Sequence, residues 1–144
     1  MATYRLYCKR QGGGDDYCVA VRNEKLILTL PNNSDYTQFW RKEDQNNKSF
    51  MLVNRAANKV VQFYGRGDQL ALVDKPSYID KSVLWAESEV ISNGYKFMRT
   101  PGQLDMVMDA WTGQIYNGTP ISIYQQVNSD NQLWKFVRAC KLLS

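Results

Sequence analysis

Asn131-Gln132-Leu133-Trp134 is the third copy of a short segment that recurs along the chain and decides its fold. The first copy is Thr37-Gln38-Phe39-Trp40, and the second is Ser82-Val83-Leu84-Trp85. The three tryptophans lie 45 and 49 positions apart. A loop that contains an aspartate precedes each tryptophan, and a short polar stretch follows it. Recurrence at this interval indicates three copies of one structural unit.

Short alternating apolar stretches, typical of β-strands, precede each tryptophan. In one of them Leu26, Leu28 and Leu30 fall on the same face. Clusters of turn-forming residues separate the stretches, for example Gly65-Arg66-Gly67-Asp68 and Asn117-Gly118-Thr119-Pro120. We expect three strands before each tryptophan and a fourth after it. The predicted strands before the tryptophans are 5–9, 18–22 and 26–30, then 50–54, 59–63 and 69–73, then 96–100, 106–110 and 121–125.

Three units of four strands predict one all-β domain, a β-trefoil, over residues 1–144. The repeats are expected at about 4–46, 47–91 and 92–140. Such a barrel closes on itself without exposed sheet edges, and each repeat needs its neighbours to bury its apolar face. The three tryptophans are predicted to fill the core, while Gln38 and Gln132 are expected to bond the backbone between repeats. The second repeat has Ser82-Val83 in this stretch and no glutamine.

Composition argues against catalysis and against a nucleic-acid partner. The chain has 18 basic and 14 acidic residues, and both signs are interspersed rather than gathered in a basic stripe. It has no histidine, so the commonest general base and metal ligand is missing. A glycosidase would need two carboxylates that flank one bond. We therefore expect no enzyme, no cofactor and no metal site.

The chain shows no apolar run after Met1, so neither a signal peptide nor membrane insertion is expected. Its three cysteines are too few and too scattered for a disulfide scaffold, and reduced thiols are expected. Whether Cys8 and Cys18 face each other across a hairpin is left open, as is the pairing of Cys140. Arg66-Gly67-Asp68 matches an adhesion tripeptide, but a hairpin turn explains it better.

The glutamine two residues before a repeated tryptophan is the signature of ricin-B-type lectins, and longer segments resemble the Euonymus-type plant lectins. Residues 81–88, Lys-Ser-Val-Leu-Trp-Ala-Glu-Ser, resemble that family's Asp/Glu-Ser-Val-Leu-Trp-Thr-Glu-Ser. Residues 129–135, Ser-Asp-Asn-Gln-Leu-Trp-Lys, resemble its Gly-Asp-Asn-Gln-Arg-Trp-Lys. Residues 50–56 and 104–111 add similar matches, and the resemblance runs in register from about Tyr4 to Val137.

This resemblance implies a β-trefoil lectin that binds glycans or glycoproteins, without catalysis or metal. It also implies residence in the cytoplasm and nucleus of a plant cell, often under stress induction. Whether two copies form a homodimer is left open. The alternative is a structural or protein-interaction trefoil that has lost sugar binding.

A shallow sugar site needs a carboxylate for hydroxyl groups, an aromatic ring for the apolar sugar face, and an amide. The resemblance implies such a site in the third repeat. Its candidate residues are Asp109, Trp111, Tyr124, Gln126 and Asn131. The equivalents of Asp109 are Ala20 and Gln62, and those of Asn131 are Thr37 and Lys81, so one site per chain is expected.

The candidate site departs from the family pattern. The family's Trp-Glu-Trp is Tyr124-Gln125-Gln126 here, and its Ala-Phe-His-Gly is Ala110-Trp111-Thr112-Gly113. The family's sugar preference therefore does not transfer directly. Simpler interpretations also stay open: Asp109 could belong to a turn, Tyr124 to the core, and Asn131 to a loop.

Overall fold

Twelve strands are described by the computed structural model, which covers residues 2–10, 17–113 and 115–139, with residues 104 and 112 described by backbone alone. Each of the three repeats contributes four of them, as the spacing of the tryptophans predicts. The strands are β1 Tyr4–Cys8, β2 Tyr17–Arg22, β3 Lys25–Thr29, β4 Trp40–Asp44, β5 Phe50–Asn54, β6 Lys59–Gln62, β7 Ala71–Val73, β8 Ala86–Glu87, β9 Lys96–Thr100, β10 Gln103–Ala110, β11 Ile121–Gln125 and β12 Leu133–Arg138. Short 3-10 turns occur at Tyr36–Gln38, Lys81–Val83, Trp111–Gly113 and Asp130–Gln132.

The first and last strands of the repeats form a closed barrel. Antiparallel pairing joins β12 to β1, β1 to β4, β4 to β5, β8 to β9 and β9 to β12. Phe50 and Trp85 complete the ring, because they exchange two backbone hydrogen bonds of 2.9 Å next to β5 and β8. Every repeat thereby pairs its barrel strands with those of its neighbours.

The middle strands of each repeat form a hairpin, and the three hairpins meet as a triangular cap over the barrel. The hairpins are β2–β3, β6–β7 and β10–β11. Lys25 pairs with Ala71, which joins the first hairpin to the second. Bridges between Ile27 and Pro120 and between Gln69 and Ser122 join both of them to the third. Residues from different repeats therefore lie side by side in this cap.

The repeated tryptophans are central to the core, as predicted. Trp40, Trp85 and Trp134 are each 2% exposed or less. Each indole N–H donates to a carbonyl in the second strand of its own repeat: Val19 at 3.0 Å, Val61 at 3.3 Å and Met108 at 2.9 Å. A buried tryptophan needs such an acceptor, and truncation of one to alanine typically costs about 3–5 kcal/mol. The three bonds also align the repeats residue by residue.

Buried glutamines hold the loops between the third strand and the tryptophan. The Gln132 amide donates to the Gln125 carbonyl at 2.9 Å and accepts from the Val127 N–H at 2.8 Å. Gln38 makes the equivalent pair of bonds in the first repeat, to Leu30 and Asn32. In the second repeat this anchor is absent, because Val83 takes the place of the glutamine, and Ser82 rather than Lys81 takes the place of Asn131. The Ser82 hydroxyl accepts from Gln62 at 2.8 Å.

Cys8 and Cys18 are free and buried. In the β1–β2 pairing Cys8 lies opposite Tyr17, and Cys18 lies opposite Tyr7. Because neighbouring residues of a strand point to opposite faces, the two thiols lie on different sides of the sheet. A bond between them is therefore excluded without a shift of register. Cys140 lies outside the described residues.

Candidate functional site

An open pocket of about 440 Å³ lies between the cap hairpins and the last 3-10 turn of the third repeat. Four of the five predicted site residues line it: Asp109, Trp111, Tyr124 and Asn131. They come from the end of β10, the turn after it, β11 and the turn before β12. The remaining wall is formed by Gly67, Gly113, Val127 and Ser129.

Asp109 is the buried acid of this pocket, with 6% of its surface exposed. Its Oδ2 accepts a 2.8 Å hydrogen bond from the Gln132 amide, the same group that anchors the loop. Burial raises the pKa of Asp109 above its ordinary value, while hydrogen bonds from Gln132 and Asn131 act in the opposite direction. An ionised carboxylate has about four acceptor positions, so two amide contacts leave capacity for sugar hydroxyls.

The Asn131 amide is oriented by two neighbours. Its Nδ2 donates to the Ala110 carbonyl at 2.9 Å, and its Oδ1 accepts from the Ser129 hydroxyl. These contacts hold the amide beside Asp109 before any ligand arrives. A polar pair that is already oriented avoids part of the ordering cost of binding.

Two aromatic side chains provide the apolar surface. Trp111 is 53% exposed and Tyr124 is 42% exposed, so Tyr124 does not belong to the core. Val107 pairs with Tyr124 across the β10–β11 hairpin, and the backbone N–H of Trp111 donates to the Pro120 carbonyl at 2.9 Å. Exposed rings on a fixed backbone are suited to cover the C–H face of a pyranose.

Gln126 is not among the residues that line the pocket. Its backbone N–H donates to the Asp105 carbonyl at 2.7 Å, and its side-chain amide donates to Asn128 at 3.0 Å. It follows the last residue of β11, so strand alternation from Tyr124 no longer determines where its side chain points.

The corresponding positions of the other repeats are occupied differently. In the first repeat Ala20 is buried, and Arg22 takes the place of Trp111 and pairs with Asp35 at 2.8 Å. In the second, Gln62 contacts Ser82, and Val73 takes the place of Tyr124, because it pairs with Val60 as Tyr124 pairs with Val107. Neither place combines a carboxylate, an oriented amide and two rings.

Sequence reasoning missed the contribution of Gly67. This residue lies in the turn between β6 and β7 of the second repeat, and its N–H donates to the Ile123 carbonyl at 2.7 Å. Its φ of +88° favours glycine and lets the turn pass close to β11. No spacing within one repeat predicts this wall, because it depends on how two repeats meet.

Membrane-spanning helices and clusters of metal ligands are both absent from the described residues. Residues 2–10, 17–113 and 115–139 contain no helix of the length and apolarity needed to cross a membrane. The same residues contain no cluster of three or more histidine, cysteine, aspartate or glutamate side chains able to hold a metal ion.

Comparison with solved structures identifies the fold. The designed three-fold symmetric protein ThreeFoil superposes with a TM-score of 0.80 at 18% identity, over 94% of this chain and 97% of its own. The BEL beta-trefoil gives 0.72 at 13% identity, over 96% and 93%. The exo-beta-1,3-galactanase 1,3Gal43A from Clostridium thermocellum gives 0.83 at 18% identity, over 96% of this chain but 30% of the galactanase. At these identities the likeness concerns the fold alone, and the predicted β-trefoil is confirmed.

Comparison with curated sequences shows which proteins this chain is related to. Ricin B-like lectin R40C1 of Oryza sativa subsp. japonica is 30% identical over 151 residues, which cover 94% of this chain and 42% of the relative. Ricin B-like lectin EULS3 of Arabidopsis thaliana is 29% identical over 150 residues, which cover 93% and 46%. The chain thus spans less than half the length of these relatives. No protein-family model matches it. By fold and by sequence, the chain is a β-trefoil homologous to the ricin B-like lectins of plants, in agreement with the resemblance seen in its motifs.

Proposed function

We propose that this chain is a carbohydrate-binding protein of the nucleocytoplasmic plant type, with one shallow glycan site in the third repeat and no catalytic activity. One observation carries the proposal: the pocket brings together Asp109, Asn131, Trp111 and Tyr124. The relatives, which are named lectins, support carbohydrate as the ligand class.

In this site each group has one task. The Asp109 carboxylate accepts hydrogen bonds from neighbouring hydroxyls, and the Asn131 amide completes the polar side. Trp111 and Tyr124 cover the apolar face of the sugar. A monosaccharide of roughly 12 heavy atoms at ~0.3 kcal/mol each gives about millimolar affinity. Useful affinity therefore requires an oligosaccharide or several linked sites.

Glycan-array binding of wild type and two matched variants tests the proposal. Trp111→Ala removes an exposed ring of the pocket, while Tyr64→Ala removes the 45%-exposed ring at the equivalent position of the second repeat. We expect wild type and Tyr64→Ala to bind the same glycans, and Trp111→Ala to lose at least about fivefold in affinity, since a stacked ring contributes ~1 kcal/mol or more.

Two outcomes would contradict the proposal in different ways. Equal binding by wild type and Trp111→Ala would show that the glycan binds outside this pocket. If wild type binds no glycan on the array but captures a specific protein partner, the alternative of a protein-interaction trefoil is favoured. Thermal unfolding of both variants is the control, because each substitution removes an exposed side chain and is expected to leave the fold intact.

A further inference from the structure

Arg66 lies at the rim of the pocket, although it belongs to the second repeat. Its guanidinium carbon is 5.5 Å from the centre of the Tyr124 ring, and its Nη1 donates to the Gln125 side chain at 3.3 Å. The next residue, Gly67, lines the pocket. Arg66 is therefore held against the aromatic wall by the same turn that closes the site.

Within the described part of the chain, the charge of Arg66 has no neutralising partner. Among the described residues, no carboxylate lies within ion-pair distance of its guanidinium. The Asp68 carboxylate of the same turn accepts from the Gly65 N–H at 3.1 Å instead. Asp130, in the last turn of the third repeat, is paired with Lys9 at 2.9 Å. An exposed guanidinium beside a binding pocket is thus left with most of its donors available.

From this arrangement we infer the class of glycan: the site prefers saccharides that carry a carboxylate or a sulfate next to the sugar held by Asp109. The inference rests on the proposed function. A planar guanidinium presents paired N–H donors that match both anions, and contact with a ring keeps it oriented.

The test uses glycan pairs that differ only in charge. Neutral chains that end in galactose, mannose or N-acetylglucosamine are compared with their 6-O-sulfated and glucuronic-acid-extended counterparts. For wild type we expect an acidic-to-neutral affinity ratio of about fivefold at low ionic strength, falling toward one at about 0.5 M salt. The sulfated and carboxylated arms identify which anion is preferred.

Two arginine variants separate a local contact from the general attraction of a chain with net charge +4. Arg66→Gln is expected to bring the ratio to about one. Arg138→Gln makes the same change of net charge at the far end of β12 and is expected to keep the wild-type ratio. If both variants lower the ratio equally, or if wild type binds neutral and acidic glycans alike, the inference is wrong while the proposed function stands. Absence of any glycan binding by wild type overturns the proposed function first, and the inference with it.

Discussion

At the residue scale, Asp109 combines two opposing requirements. A carboxylate is needed to bind hydroxyls, yet burial raises its pKa and so disfavours the charged form in the folded protein. A carboxyl with a higher pKa in the folded state contributes stability below its unfolded pKa, and that contribution is lost as pH rises through the folded pKa. The ionised form of Asp109 therefore lowers the stability of the fold relative to the protonated form.

Asp109→Asn is predicted to stabilise the protein and to weaken glycan binding. The asparagine carbonyl keeps an acceptor for the Gln132 amide, while the buried charge disappears. We expect a higher Tm than wild type at pH 7, a smaller difference at about pH 3, and at least about tenfold weaker glycan binding. Thermal denaturation at both pH values and a binding titration check this. A lower Tm for the variant at pH 7 would show that the interactions of the Asp109 carboxylate stabilise the fold by more than its burial destabilises it.

At the element scale, the anchor of the loop between β11 and β12 is a single side chain. Gln132→Ala leaves the Gln125 carbonyl and the Val127 N–H without their partner and is predicted to destabilise the fold by about 2–3 kcal/mol. Ser82→Ala, in the corresponding turn of the second repeat, is predicted to cost less than about 1 kcal/mol, because Val83 stands in place of the glutamine there and no such anchor exists. Urea denaturation of the two variants gives the comparison, and similar losses would contradict it.

The elements were largely predictable from the sequence because each is determined by local pattern. Alternation located the strands to within a few residues, and the interval between tryptophans assigned them to three units. The apolar pattern predicts that β10 starts at Met106, whereas the strand begins at Gln103 and contains a register shift before Val107. A bulge of this kind leaves no mark in an apolar pattern, so strand ends stay the weakest part of the prediction.

The candidate site was predictable only in part. Asp109, Trp111, Tyr124 and Asn131 follow from motifs within one repeat, and the structure gathers them in one pocket. Gly67 and Arg66 come from another repeat, and their approach depends on how the cap hairpins pack. Residues brought together by packing carry no common spacing, which is why sequence reasoning did not find them.

At the scale of the whole molecule, the core is expected to protect its thiols. Burial raises the pKa of Cys8 well above its usual value and that of Cys18 to about 12, so neither forms an appreciable amount of thiolate near pH 8. We predict that a thiol reagent leaves both unmodified in the native protein and modifies both in concentrated urea. Peptide mapping distinguishes them from Cys140. Rapid modification of either in the native state would show that the barrel opens locally.

The whole molecule is also predicted to bind one glycan per chain. The first repeat has Ala20 and the Arg22–Asp35 ion pair where the third has Asp109 and Trp111, and the second has Gln62 and Val73 where the third has Asp109 and Tyr124. Calorimetric titration with a glycan found on the array should therefore give a stoichiometry of one. A value of two or three would show that the first or second repeat also binds a ligand.

The contact of the Gly67 N–H with the Ile123 carbonyl has a consequence for the history of such a molecule. After a triplication, a repeat that loses its own ligand site stays under selection, because its turn still forms a wall of the site in the neighbouring repeat. Selection on the one functional site then preserves the shape of a repeat that binds no ligand itself. Exchanging the β6–β7 turn for that of a homologous lectin should therefore change which glycans bind, although the pocket residues of the third repeat stay the same.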